Sequence, residues 1–129
     1  MEKNKESKIL IVDDDNIVRD FLRKFLSSKG FTQLESASTG QEALKIIEEK
    51  KQNIKLVLLD IRLPDINGVD LLRRIKEINK DIGVIMITAF ADEEKAKEAM
   101  RLGAFDYIMK PFDLAYLQLS VLTKIATAI

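Results

Sequence analysis

Five short strand-like runs recur along the chain, each followed by a stretch of helical spacing. Lys8 to Val12 ends in acids and reads as a buried parallel strand. Asn16 to Ser28 then places Ile17, Val18, Phe21, Leu22, Phe25 and Leu26 at helical intervals, and Gly30 stops that helix. Phe31 to Ala37 reads as a second, weaker strand at a sheet edge. Ser38-Thr39-Gly40 caps a helix running to about Lys50, with Ala43, Leu44, Ile46 and Ile47 on its buried face. Leu56 to Leu59 is a third buried strand, ending at Asp60. Turn formers from Leu63 to Gly68 lead into a helix over Val69 to Asn79, with Leu71, Leu72, Ile75 and Ile78 inward. Gly83 to Ile87 is the fourth strand, ending at Thr88. Asp92 caps a helix to about Leu102, which Gly103 terminates. Phe105 to Met109 is the fifth strand, closed by Lys110-Pro111, and Asp113 caps the final helix.

Strands alternating with helices over short connections imply a parallel sheet covered by helices on both faces, and right-handed crossovers leave few topologies. The 129 residues suit one compact domain, expected over 8–129 behind a flexible polar arm, Met1 to Ser7. That arm lacks the apolar stretch of a signal peptide, and no apolar run approaches the roughly 18 residues of a membrane helix. A cytoplasmic location and no membrane contact are therefore expected. Cys and His are both absent, which excludes disulfides, thiolate sites and the usual transition-metal ligand. Any bound metal must be held by oxygen: Mg²⁺, Ca²⁺ or Mn²⁺. The 21 basic residues balance 21 acidic ones, and the basic pairs Lys50-Lys51 and Arg73-Arg74 are short, so direct nucleic-acid binding is not expected.

The polar residues with most chemical potential all follow directly after predicted strands: Asp13, Asp14, Asp60, Thr88 and Lys110. The carboxyl ends of parallel strands share one edge of the sheet, where ligands bind. Three carboxylates there repel one another and raise one another's pKa unless a cation joins them. Mg²⁺ suits such a set, because it takes a few carboxylates, keeps waters and bridges to phosphate oxygens. A carboxylate can also act as a nucleophile and form an aspartyl phosphate. Phosphoryl transfer then needs in-line positioning and positive charge, which Lys110 and the Thr88 hydroxyl can supply. Taken singly, each residue has a plainer reading: an acidic turn favoured by a helix dipole, a strand terminator, a solvated lysine. Their joint placement at strand ends favours the chemical reading.

These segments resemble the receiver domain of two-component response regulators, the CheY-like family. The resemblance is carried by Ile9 to Asp14, Leu58 to Pro64 with Gly68, Ile87-Thr88-Ala89, and Gly103-Ala104 followed by Tyr107 to Phe112. It implies a doubly wound, flavodoxin-like sheet of order 2-1-3-4-5 with five helices. It implies phosphorylation of Asp60 by a sensor histidine kinase or a phosphotransfer protein. Asp14 would bind Mg²⁺ directly (Mn²⁺ as a substitute) and Asp13 through water, with Asp60 and the backbone carbonyl of Arg62 completing the ligands. Thr88 and Lys110 would contact the phosphoryl group, Lys110 pairing with Asp60 beforehand. Thr88 and Tyr107 would act as the switch pair, the Lys110-Pro111 bond would be cis, and the fourth and fifth helices with the strand between them would form the switched surface. Asp15 reads as the N-cap of the first helix.

Three rival classes fit less well. A haloacid-dehalogenase-like phosphatase needs an Asp-x-Asp pair on the first strand and a cap. A flavodoxin-like FMN module needs a hydroxyl- and Gly-rich loop where this chain has three acids. A non-phosphorylated interaction module would not need Asp60, Thr88 and Lys110 intact. Two surfaces are candidates for protein contact. On the last helix, Leu114, Leu117, Val121 and Ile125 form a core stripe, while Tyr116, Leu119, Thr123 and Ala126 form an opposite, uncharged face suited to a second copy, an output domain or a target. On the first helix, Ile17, Val18 and Phe21 lie near the acidic end and could dock the phosphodonor, with core packing an equal alternative for Val18 and Phe21. Helical spacing continues to Ile129, as in a receiver cut from a longer regulator. Phe90, two positions past Thr88, flanks the path of attacking water in receivers, and its bulk implies slow phosphoaspartate hydrolysis. Phe90→Ala is expected to shorten the phosphoaspartate lifetime in a dephosphorylation time course; an unchanged lifetime would refute that role.

Overall fold

A computed structural model describes residues 8–50, 53–89 and 93–127. The arm Met1 to Ser7, the cap residue Asp92 and Phe90 lie outside the described residues. The elements are β1 (Lys8–Val12), α1 (Asn16–Ser28), β2 (Leu34–Ala37), α2 (Gly40–Lys50), β3 (Ile54–Asp60), α3 (Gly68–Ile78), β4 (Gly83–Thr88), α4 (Glu93–Arg101), β5 (Asp106–Met109) and α5 (Leu114–Thr127). They build one five-stranded sheet of order β2-β1-β3-β4-β5, parallel throughout.

Two apolar layers hold the sheet. Alternate strand residues Leu10, Val57, Leu59 and Met86 face α2, α3 and α4, packing on Ala43, Ile47, Leu72 and Ala99. Their neighbours Ile9, Ile11, Leu58 and Ile85 face α1 and α5, packing on Leu22, Leu26, Leu117 and Val121. Burial on both faces explains the unbroken apolar runs of β1, β3 and β4. No helix among the described residues is long and apolar enough to cross a membrane.

Local chemistry sets the element ends. The Asp15 carboxylate accepts the Ile17 N–H and caps α1, as expected. At the other end Gly30 adopts φ 96°, which favours glycine, and the Phe31 N–H returns to the Leu26 carbonyl. That bond explains why β2 begins at Leu34 and not at Phe31: Phe31 closes α1, with its ring buried in the core. β3 starts at Ile54, earlier than its apolar run, because pairing with β1 extends beyond that run. β5 starts at Asp106, since Phe105 bonds Val84 ahead of the ladder. Leu114 is 38% exposed and is not part of the α5 core stripe, which consists of Leu117, Val121 and Ile125. It is the first residue of its helix, one turn ahead of Leu117, where the buried stripe begins.

Between β3 and α3 the chain folds back on itself. The Gly68 N–H donates to the Ile61 carbonyl at 2.7 Å, and a Cβ on Gly68 would lie 2.5 Å from the Asp60 carbonyl oxygen and 2.6 Å from the Ile61 Cα. These are backbone atoms at the end of the central strand and cannot swing aside. Gly68→Ala is therefore expected to lower the unfolding free energy by about 1–3 kcal/mol, read from the denaturant midpoint. An unchanged midpoint would show that the loop tolerates the extra carbon.

Candidate functional site

Strand register levels the carboxyl edge of the sheet. Val12 pairs with Leu59, Asp60 with Ile87, and Thr88 with Met109. The next residues, Asp13 and Lys110, consequently emerge beside Asp60. One carboxylate oxygen from each of Asp13, Asp14 and Asp60 lies within 4.8 Å of the others. Asp13 and Asp60 are 2% and 7% exposed, while Asp14 opens to solvent.

Asp13 is held on every side. Its N–H donates to the Ala37 carbonyl, its carbonyl accepts from the Arg19 guanidinium, its Oδ1 accepts the Asp15 N–H at 2.9 Å, and its Oδ2 accepts from Lys110 Nζ at 2.8 Å. The same ammonium lies 3.7 Å from Asp60 Oδ2. Lys110 therefore pairs with Asp60, as expected, and in addition donates a hydrogen bond to the more deeply buried Asp13. Burial alone would lower the Lys110 pKa, but the Asp13 bond and the Asp13 and Asp60 charges outweigh it and raise the value. Asp60 is pushed up from 3.8 to about 6, first by burial and then by Asp13, with Lys110 and the Arg62 N–H only partly offsetting the rise. A carboxylate set that one ammonium does not neutralise, composed only of hard oxygen donors, fits a divalent cation.

The other expected residues fall into two groups. Thr88 is fully buried at the end of β4, and its carbonyl accepts the Lys110 N–H at 2.7 Å, tying the ends of β4 and β5 together. Arg62 directs its N–H at Asp60 Oδ1, 3.3 Å away, and the Lys110-Pro111 bond is cis. Tyr107 is half-buried on β5, against the layer that holds α4. Ile17 is 75% exposed on α1; Phe21 beside it is exposed and stacks on Phe112, ring centroids 6.2 Å apart, whereas Val18 packs on the core. Tyr116, Leu119 and Thr123 line the exposed face of α5, outside the carboxylate group.

The response regulator receiver domain profile matches residues 9–122. The chain belongs to the response regulator receiver family. Receivers of this family are signalling switches that work with histidine kinases or phosphotransfer proteins. This receiver is 40% identical over 115 residues to the regulatory protein AtoC of Escherichia coli, covering 89% of this chain but only 24% of AtoC. It is 36% identical to the sporulation initiation phosphotransferase F of Bacillus subtilis, covering 83% of this chain and 84% of that protein. Among solved structures it superposes with a TM-score of 0.88 on a receiver from Clostridium thermocellum, at 32% identity, covering 94% and 95% of the two chains. With a TM-score of 0.87 and 32% identity it superposes on a chain of the CheX-CheY-BeF3-Mg²⁺ complex from Borrelia burgdorferi, covering 94% and 96%.

Some contacts of this receiver carried no sequence signal. Asp65 reads locally as a turn former, yet it bonds α2 across 25 positions. Asp106 gathers the Tyr116 hydroxyl at 2.6 Å and the Ser120 hydroxyl at 2.7 Å, so the α5 face is tethered to β5 and is less free of polar contacts than its composition implied.

A carboxyl whose pKa rises on folding favours the folded state while protonated, and that advantage is lost as pH rises through the folded value. With Asp60 moved from 3.8 to about 6, metal-free receiver is expected to lose unfolding free energy as pH rises across that interval, at most about 3 kcal/mol and less to the extent that solvent screens the site. Asp60→Asn, which cannot ionise, should remove that loss and be the more stable protein at neutral pH. Parallel stability profiles for the two proteins in chelator would refute the shift.

Proposed function

We propose that this receiver takes a phosphoryl group on Asp60 from a phosphohistidine donor, a sensor histidine kinase or a phosphotransfer protein. The supporting observation is the convergence of Asp13, Asp14 and Asp60 within 4.8 Å, faced by the ammonium of Lys110. Asp13, Asp14, Asp60 and the Arg62 carbonyl would hold Mg²⁺, with Mn²⁺ able to replace it. When bound, the ion supplies positive charge against the phosphoryl oxygens.

Asp60 must be ionised to attack. Burial and Asp13 work against this, so the carboxylate is available at neutral pH only when its charge is balanced. An oxygen of Asp60 forms the new O–P bond while the donor's P–N bond breaks, and the electron pair leaves with the imidazole nitrogen. Lys110, already 3.7 Å from Asp60, needs little movement to meet the incoming phosphoryl oxygens. Thr88 sits at the same edge on the neighbouring strand and donates its hydroxyl to them. Ile17, with the Phe21–Phe112 pair, offers an exposed apolar rim for the donor.

Contacts to Thr88 and Lys110 would favour an active arrangement of α4, β5 and α5, with Tyr107 turning inward as Thr88 moves. The α5 face around Tyr116, Leu119 and Thr123 then meets a second copy or an output domain. The molecule works as a cytoplasmic switch that assists its own phosphorylation and dephosphorylation, with no separate substrate to turn over.

Incubation with acetyl phosphate and Mg²⁺ should add one phosphoryl group by intact mass. Asp60→Asn should abolish the addition, and Lys110→Ala should slow it about a hundredfold. Wild-type protein that stays unmodified with a competent donor would refute the reading.

A further inference from the structure

Asp65 lies outside the crevice, at the tip of the loop between β3 and α3. Its side chain is exposed, yet both oxygens are engaged: Oδ1 accepts the Gly40 N–H at 2.8 Å and Oδ2 the Gln41 N–H at 2.9 Å. These two donors open α2, where N–H groups lack partners within the helix. They also hold the Asp65 carboxyl below its ordinary range. The two segments are in close apolar contact as well, since a Cβ on Gly40 would run into the Ile66 side chain.

Helix α2 does not depend on Asp65 for its start. The Thr39 hydroxyl accepts the Glu42 N–H at 3.1 Å, and the Glu42 carboxylate accepts the Ser38 N–H at 2.7 Å, a reciprocal cap made within its own chain segment. The loop has the greater need. Its base is closed by Gly68 on Ile61 and by the bridge between Arg62 and Asn67, while Asp65 fastens the tip. Arg62, whose N–H points at Asp60, belongs to the base tie and stands three positions before Asp65.

We propose that Asp65 is a positioning residue for the Asp60 site: by fastening the loop tip to the start of α2, its carboxylate fixes the Arg62 backbone and with it the geometry of cation binding. The proposal rests on reading Asp13, Asp14 and Asp60 as a metal site. Asp65 touches neither the cation nor the phosphoryl group; it acts through the loop.

The test titrates the full chain with Mg²⁺ alone, followed by amide chemical shifts, for wild type, Asp65→Ala, Asp65→Asn and Thr39→Ala. Amide exchange is measured on the same proteins without metal. Asp65→Ala should speed exchange at Gly40 and Gln41 and weaken Mg²⁺ binding about fivefold, a smaller loss than for residues that hold a ligand directly. Asp65→Asn, which keeps one acceptor, should fall between Asp65→Ala and wild type. Thr39→Ala removes a cap from the same helix end, so it should lower stability while leaving Mg²⁺ affinity at the wild-type value. Equal affinity for wild type and Asp65→Ala would overturn the proposal, as would an equal loss from Thr39→Ala, which would assign the effect to helix stability. Wild type that fails to bind Mg²⁺ would overturn the metal-site reading and this proposal with it, an outcome separate from equal binding.

Discussion

Mutual repulsion among three carboxylates is the constraint on which the rest of the molecule turns. Asp13, Asp14 and Asp60 offer oxygens within 4.8 Å of one another, two of these residues are almost out of water, and one ammonium stands against them. Left to itself the chain would relieve this by spreading the acids apart. It cannot, because each acid follows a strand whose register is fixed by apolar layers on both faces of the sheet. Slipping a strand by one residue would turn its whole core face outward. The hydrophobic core thus keeps three like charges together, and the raised pKa of Asp60 expresses that cost.

The surroundings of the crevice differ in how firmly they are held. Helix α3 buries Gly68, Val69, Leu71, Leu72 and Ile75, and its cap Asn67 accepts the Val69 N–H. In α4 only Ala99 is fully buried, and a link from Arg73 of α3 to Glu98 crosses partly exposed space at 3.3 Å. Exposed ion pairs of this kind add little stability. An element with so few buried apolar contacts is drawn from the low-stability end of a fold, where switching segments arise. The proposed route from Asp60 through Thr88 and Tyr107 leads toward this element. Charge redistributed at a rigid rim would then move the part of the fold least committed to the core.

Most of the architecture could be read from period and punctuation. The β1, β3 and β4 runs, the Asp15 cap and Gly30 all act locally, so local sequence carries them. Boundaries failed where tertiary pairing decides: Phe31 looks like a strand residue but closes α1, and β3 lengthens because β1 lies beside it. The carboxylate cluster was legible because parallel topology converts positions after strands into neighbours. Which carboxylate takes the Lys110 hydrogen bond was not legible, since it depends on relative depth, and depth belongs to the folded edge and not to any one segment. Asp65 and Asp106 were missed for the same reason. Their partners lie in other elements, and an Asp in a loop or at a strand start carries no mark of a bond to a distant helix.

The account is tested most directly by a crystal structure of the protein grown with Mg²⁺ and beryllofluoride. The prediction is one divalent ion among the carboxylates of Asp13, Asp14 and Asp60, and a beryllofluoride group on Asp60 met by Thr88 and Lys110. A structure in which Asp60 remains unmodified and the ion is absent from the crevice, or bound elsewhere, would contradict it.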